Sequence, residues 1–225
     1  MNAPRDLKKR RVVIVEDHPM FREQLRLLID KEEDLMVCGE ADNVPAALAL
    51  IQKTQPQLAI VDITLKSSGG LDLLKDLRAH EIDLPVLVLS MHDESLYAER
   101  ALRAGARGYI TKQEASAKVM IAIRQVLSGE IYLDARAMRQ MVHKVVAKSD
   151  DAVSAIDRLT DRELEVFELI GQGRTTREIG YRLSVGLTTV DTYRARIKEK
   201  LHLENAAQLH AEAARWAAKN VTVAG

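Results

Sequence analysis

Four short apolar runs in this chain each end on side chains that can do chemistry. Val12-Val13-Ile14-Val15 stops at Glu16 and Asp17, and Leu58-Ala59-Ile60-Val61 stops at Asp62. Val86-Leu87-Val88-Leu89 stops at Ser90, and Gly108-Tyr109-Ile110-Thr111 stops at Lys112. Runs this short and this apolar suit parallel strands covered on both faces. In an open parallel sheet chemistry gathers outside the carboxyl ends of the strands, so the four ends describe one place. Three carboxylates brought together there repel one another at neutral pH, and a hard divalent cation such as Mg2+ relieves that repulsion through oxygen ligands. A lysine and a hydroxyl then remain to hold an anion. An aspartate that accepts a phosphoryl group uses every one of these parts.

The elements that would position these residues alternate regularly from Arg11 to Gly129. Pro19 stands where a first helical residue would, after His18, and Phe21, Leu25, Leu28 and Ile29 recur at helical spacing as far as about Asp30. Leu35 to Cys38 is strand-like, and Pro45 to Lys53 is an alanine-rich helix. Gly69-Gly70 opens a helix through Leu71, Leu74 and Arg78, Pro85 to Ser90 is the fourth strand, and a helix from about Glu94 to Ala104 ends at Gly105. Val119, Ile123, Val126 and Leu127 mark a last amphipathic helix that stops at Gly129. Strands separated by helices at this spacing predict a right-handed, parallel, three-layer α/β sandwich.

These residues resemble a known family. Glu16-Asp17, Asp62, Ser90, Tyr109 and Lys112, each on its expected strand end and with Gly70 eight residues past Asp62, look like a response-regulator receiver domain, which implies a flavodoxin-like five-stranded parallel sheet over residues 11–130. The resemblance implies that Asp62 is the phosphoacceptor and that Glu16, Asp17 and Asp62 hold Mg2+ with the backbone carbonyl of Thr64. It further implies that Ser90 and Lys112 hold phosphoryl oxygens and that Tyr109 is a switch aromatic. Two departures stand out: Lys66 and Gln113 occupy positions where many receivers have proline. Taken singly, Asp17 reads as a helix cap, Ser90 as a strand-end hydroxyl, Lys112 as a surface lysine and Tyr109 as packing. Their joint placement favours phosphoryl chemistry. The six histidines, His18, His80, His92, His143, His202 and His210, lack metal-ligand spacing and read as ordinary surface or capping residues.

Beyond Glu130 the pattern changes. Residues 131–157 read as a helical linker, with Met138, Met141, Val142 and Val145 on one face of a helix over Ala135 to Lys148, followed by the flexible Ser149-Asp150-Asp151-Ala152. Residues 158–220 then read as a small all-α, four-helix domain. Thr160 with Glu163 and Thr175 with Glu178 are two capping boxes that mark two helix starts. Val166, Leu169 and Ile170 give the first helix its apolar face, Gly171 and Gly173 end it, and Ile179 and Leu183 anchor a short second. After Ser184-Val185-Gly186, a third helix turns Val190, Ile197 and Leu201 inward, and a fourth carries Ala206, Leu209, Ala213 and Trp216 on one stripe. Leu159-Thr160-Asp161-Arg162-Glu163, Glu178-Ile179 and Thr189-Val190 resemble the LuxR-type helix-turn-helix of NarL/FixJ response regulators. The resemblance implies that the third helix enters the major groove of double-stranded DNA. Thr188, Asp191, Thr192 and Ala195 would face outward, with Tyr193, Arg194, Arg196 and Lys198 within reach of phosphates or neighbouring base edges. Asp191 departs from the common lysine, and Gly186 from the usual serine cap.

Composition narrows the function without deciding it. With 33 basic and 33 acidic residues the formal net charge is +0, so affinity for DNA has to come from local charge placement. No apolar stretch approaches the about 20 residues of a membrane span, and the charged amino terminus lacks the apolar core of a signal peptide. Cys38, the single cysteine, reads as a buried inert strand residue, which fits a cytoplasmic setting. Lys8-Lys9-Arg10-Arg11 reads as a solvated lead-in to the first strand. The expected function is a cytoplasmic DNA-binding transcriptional regulator, not an enzyme, that a histidine kinase phosphorylates and that acts as a homodimer. An alternative keeps both folds but makes DNA binding independent of phosphate, with the receiver a dimerisation or partner module. A stand-alone hydrolase with an aspartyl-phosphate intermediate needs a general acid close by, and Ile63-Thr64 supplies no second carboxylate after Asp62.

Overall fold

The computed structural model describes residues 9–65, 69–91, 94–134, 137–139 and 155–221. The chain forms two compact units, residues 1–148 and 149–225. Lys66, His92, His143 and most of the expected linker, including Met141, Val142 and Val145, lie outside the described residues. Met138 lies within them and is exposed.

The first unit contains strands β1 (Arg10–Val15), β2 (Leu35–Ala41), β3 (Leu58–Asp62), β4 (Val86–Ser90) and β5 (Gly108–Thr111). Its helices are α1 (Pro19–Asp30), α2 (Val44–Thr54), α3 (Gly70–Ala79), α4 (Glu94–Ala104) and α5 (Lys112–Leu127). All strand pairs are parallel, in the order β2-β1-β3-β4-β5. β3 is central and every one of its residues is buried, as its unbroken apolar run predicts. Val12, Ile14, Leu58, Ile60, Leu87, Leu89 and Ile110 project to one face and pack with Leu25 and Ile29 of α1 and with Val119, Ile123 and Val126 of α5. Pro19 is at the start of α1, as the sequence predicts, and Gly105 leaves α4 at φ 112°.

Two details differ from the expectation. Cys38 is half-buried rather than buried, because β2 is an edge strand and its register with β1 slips at that point: Val12 pairs with Val37 and Val13 with Gly39, leaving Cys38 as a bulge. The segment after α5 also returns to the sheet. Tyr132 bridges to Gly108, its amide donating to the Arg107 carbonyl and its carbonyl accepting from the Tyr109 amide, both at 3.0 Å. Its ring is buried in the α1/α5 core.

The second unit is helical. A 3-10 turn (Ala155–Arg158) precedes α6 (Asp161–Gly171), α7 (Thr176–Leu183), α8 (Leu187–Lys200) and α9 (Ala206–Val221). Both capping boxes form: Thr160 and Glu163 bond reciprocally, as do Thr175 and Glu178. Leu164, Phe167, Ile179, Val190, Ile197, Leu209 and Ala213 are fully buried, and Phe167 meets Trp216 edge-on with ring centroids 5.9 Å apart. Ala206, expected on the inward stripe, is exposed at the first turn of α9, and Leu201, at the end of α8, is only half-buried. A side chain on Gly171 would lie 2.5 Å from the Ala213 carbonyl oxygen, so glycine here lets α6 and α9 touch.

Candidate functional site

The strand order reverses direction at β1, whose neighbours are β2 on one side and β3 on the other. In doubly wound sheets the crevice for a ligand opens at such a switch point, outside the strand carboxyl ends. Glu16 and Asp17 follow β1 and Asp62 ends β3, so two of the four chemical strand ends flank that crevice. Ser90 ends β4, and Lys112 follows β5 as the first residue of α5. Every one of these side chains is buried: Glu16 and Ser90 at 0 % exposure, Asp62 at 1 %, Asp17 at 6 % and Lys112 at 8 %.

The Lys112 ammonium is the hub. It donates to Asp62 Oδ2 at 2.8 Å, lies 2.6 Å from Glu16 Oε2, and sits 4.8 Å from the centre of the Phe21 ring. Asp62 Oδ1 accepts from the Thr64 amide at 3.1 Å. Burial is the main reason the Asp62 carboxyl is pushed above the ordinary carboxylate range; the charge of Glu16 adds to it, and the Lys112 ammonium opposes it. The Glu16 carbonyl is held by Arg22 Nη1 at 2.6 Å, which pins the end of β1.

Sequence reasoning missed His18. Its ring Nδ1 lies 2.9 Å from Glu16 Oε1 and 2.9 Å from Asp17 Oδ1, and its amide donates to Glu16 Oε1 at 3.0 Å. The imidazole is therefore part of the acidic cluster: ligand atoms of Glu16, Asp17, His18 and Asp62 all lie within 4.8 Å of one another. Its place as the residue before the first turn of α1 was the available signal. Glu16 Oε2 and Asp17 Oδ1 are buried, yet neither has a hydrogen bond of proper geometry. Buried carboxylate oxygens whose near cations are not aligned to hydrogen-bond them are what a divalent cation satisfies, so this donor set fits Mg2+.

Gly70 explains how α3 comes so close. A side chain there would stand 1.9 Å from the Asp62 carbonyl oxygen, and the Gly70 amide donates to the Ile63 carbonyl at 2.8 Å. Tyr109 pairs with Val88 in the sheet and is 1 % exposed.

In the second unit the expected face of α8 is present. Thr188, Asp191, Thr192, Ala195 and Arg196 are exposed, and Tyr193 and Lys198 half-exposed. Arg194 differs: it donates to Thr176 Oγ1 at 2.9 Å and lies 3.1 Å from His210 Nε2, bracing α7 and α9. Gly186 precedes α8 with no side-chain cap.

A doubly wound receiver carrying this acidic pocket, joined to a helix-turn-helix unit, defines a transcriptional response regulator. The family described as response regulator receiver domain matches residues 12–124, and the one described as bacterial regulatory proteins, luxR family, matches residues 157–213. Among relatives, a putative transcriptional regulator of Pseudomonas aeruginosa is 34% identical over 88% of this chain and 94% of its own length. The virulence factors putative positive transcription regulator BvgA of Bordetella pertussis is 33% identical over the same shares. A LuxR-family two-component response regulator from Aurantimonas is similar at TM-score 0.58 and 30% identity, over 62% of this chain and all but 1% of its own, covering 99%. Salmonella RcsB bound to promoter rprA shares the fold at TM-score 0.58 and 23% identity, over 91% of this chain and 98% of its own. The chain belongs to the LuxR-type two-component response regulators, which are DNA-binding transcriptional regulators.

Proposed function

We propose that Asp62 is the phosphoacceptor, that a histidine kinase supplies the phosphoryl group, and that the modified chain binds promoter DNA as a homodimer in the cytoplasm. One observation carries this reading: a buried carboxylate lies between the Lys112 ammonium at 2.8 Å and an acidic cluster in which Glu16 Oε2 and Asp17 Oδ1 have no well-formed hydrogen bond. The Asp62 carboxylate attacks phosphorus of a phosphohistidine, an O–P bond forms as the N–P bond breaks, and the imidazole leaves. Lys112 and the Ser90 hydroxyl hold phosphoryl oxygens. Glu16, Asp17, Asp62 and the Thr64 carbonyl would hold Mg2+, which supplies charge neutralisation when bound. The resulting added charge draws Lys112 away from Glu16, and Tyr109 carries the change through β5. No external substrate is turned over.

Residues 11–130 make the receiver, 131–157 the linker and 158–220 the DNA-binding domain. Thr188, Asp191 and Thr192 face base edges, while Tyr193, Arg196 and Lys198 support them at the phosphates and Arg194 braces the helices behind them. A single helix-turn-helix reads one half-site, so two copies are needed for a two-fold operator. Among the described residues no helix is long and apolar enough to cross a membrane.

The test is promoter-fragment binding by wild type and Asp62→Ala, each with and without Mg2+ and acetyl phosphate. Tighter binding only in phosphodonor-treated wild type supports the reading. Equal binding in all four conditions would overturn phosphorylation control.

A further inference from the structure

The outward stripe of α8 carries an acid that nothing in the fold uses. Gly186 precedes the helix, so Thr188, Asp191 and Thr192 lie in its first two turns, the part of a groove-entering helix that reaches base edges. Asp191 is exposed and, among the described residues, has no ion pair and no side-chain hydrogen bond. As the fifth residue of α8 it stands beyond the first turn, where a carboxylate would complete a cap or answer the helix dipole. Its neighbours at helical spacing are Leu187, Thr188, Arg194 and Ala195, and the one cation among them is taken: Arg194 donates to Thr176 Oγ1 at 2.9 Å and lies 3.1 Å from His210 Nε2. Asp191 therefore does not serve to aim an arginine.

A lone carboxylate brought against a polyanion is repelled by the phosphates and gives up its water. Both effects weaken binding unless a donor on the DNA receives it. The rest of the stripe supplies little help. The Thr192 hydroxyl donates to the Thr188 carbonyl at 2.9 Å, which spends its proton and leaves it lone pairs and a methyl group, and Ala195 adds another methyl. In the major groove the donors are the exocyclic amino groups, N4 of cytosine and N6 of adenine, whereas O6 and N7 of guanine and O4 of thymine are acceptors that repel a carboxylate. Adenine sets its N7 acceptor beside N6, while cytosine has only a C–H beside N4. Charge complementarity thus singles out cytosine.

We propose that Asp191 selects a cytosine in each half-site by accepting a hydrogen bond from its N4 amino group. The inference rests on the reading that α8 enters the major groove. It adds to that reading a base and a mechanism, attraction to one amino group combined with repulsion from the acceptors of the other pairs.

The experiment selects duplexes from a random pool with the phosphodonor-treated full chain, then measures affinity by fluorescence anisotropy for the selected duplex and for versions with every other base pair at each position. Wild type is expected to require a C·G pair at one position of each half-site, with about tenfold weaker binding to any other pair there. Asp191→Ala is expected to lose that preference and keep the others, the retained positions showing that the domain is folded. Asp191→Asn, whose amide matches the N6 and N7 edge of adenine, is expected to move the preference to an A·T pair. Arg196→Ala should instead weaken all duplexes alike and reduce the salt slope by about one. Unchanged preferences in Asp191→Ala and Asp191→Asn, with Thr188→Ala or Thr192→Ala relaxing a position, would overturn the cytosine contact and leave α8 in the groove. Unchanged preferences in Thr188→Ala and Thr192→Ala as well would overturn the α8 reading itself. A uniform gain in affinity by Asp191→Ala, with every preference kept, would reduce Asp191 to repulsion of phosphates, and relaxation at an A·T pair would overturn the choice of cytosine.

Discussion

The Lys112 ammonium donates to Asp62 Oδ2 at 2.8 Å while lying 2.6 Å from Glu16 Oε2, so one buried cation neutralises carboxylates from two strands. When the phosphoryl group arrives, the same ammonium is in place to meet the oxygens that acquire charge. Lys112→Met is therefore expected to slow modification of Asp62 by acetyl phosphate about 10²-fold, the scale of one lost charge-stabilising donor. Intact-mass spectrometry over time measures this. Lys112→Arg is expected to restore little, since a planar guanidinium fork does not reproduce the point charge that Lys112 places beside Glu16, Asp62 and the Phe21 ring. A wild-type rate in Lys112→Met would remove the lysine from the chemistry.

Burial and the Glu16 charge raise the Asp62 carboxyl above its ordinary value, and that makes its ionised form a local liability. A group raised on folding stabilises the fold below its unfolded pKa and loses that contribution as pH rises through the folded value. In chelator, Asp62→Asn is thus expected to melt above the wild type at pH 7, with the gap closing as pH falls toward the raised Asp62 value. Mg2+ at ten times its Kd should raise wild-type stability by about 1.4 kcal/mol. Asp17→Asn, which removes the charge of a carboxylate with no well-formed hydrogen bond at Oδ1, should lose that increment. Equal Mg2+ shifts in both chains would count against this cluster as the cation site.

Gly70 and Gly69 make a matched pair of tests. The clash of a Cβ on Gly70 is with the Asp62 backbone at 1.9 Å, which no rotamer change relieves, whereas one on Gly69 would only reach the Asp72 carboxylate at 3.6 Å. Gly70→Ala is expected to destabilise the receiver by about 3 kcal/mol and to impair modification of Asp62; Gly69→Ala should do neither. Urea melts of the two variants give the comparison, and parity between them would contradict the close approach of α3 to β3.

The parts of this molecule that announce themselves in sequence are those fixed by local rules. Asp62, Ser90 and Lys112 end apolar runs, so strand burial and chain direction were enough to converge them. The Thr160-Glu163 and Thr175-Glu178 boxes close within four residues and formed as expected. Contacts set by tertiary placement were silent. Tyr132 joins the sheet through a single bridge, too short to leave a periodicity. His18 enters the acidic cluster because the turn into α1 folds its ring over Glu16, a local geometry that metal-ligand spacing does not encode. Arg194 lies between the buried and outward faces of α8, and only the positions of Thr176 and His210 decide that it braces helices. Gly70 and Gly171 looked like helix punctuation, while their physical role is the approach of another backbone.

The second unit contains its own pH-sensitive bond. Glu163, 1 % exposed, receives the Lys200 ammonium at 2.6 Å and the Thr160 amide at 2.8 Å. Burial favours the neutral acid, yet the bonds from Lys200 and Thr160 together outweigh it and hold the carboxyl below its ordinary value. A depressed carboxyl stabilises the fold above its unfolded pKa and gives that up as pH falls through the folded one. The single tryptophan, Trp216, lies against Phe167 in this unit, so its fluorescence reports unfolding here. The Trp216 transition should weaken in wild type as pH drops below about 4.5, the ordinary glutamate range. Glu163→Gln should flatten that dependence. Lys200→Met should lower stability at pH 7 by about 1 kcal/mol, a modest figure because the lysine is 32% exposed and screened by solvent. A Trp216 transition that ignores both substitutions across this range would show that α6 and α8 are held together by their apolar contacts alone.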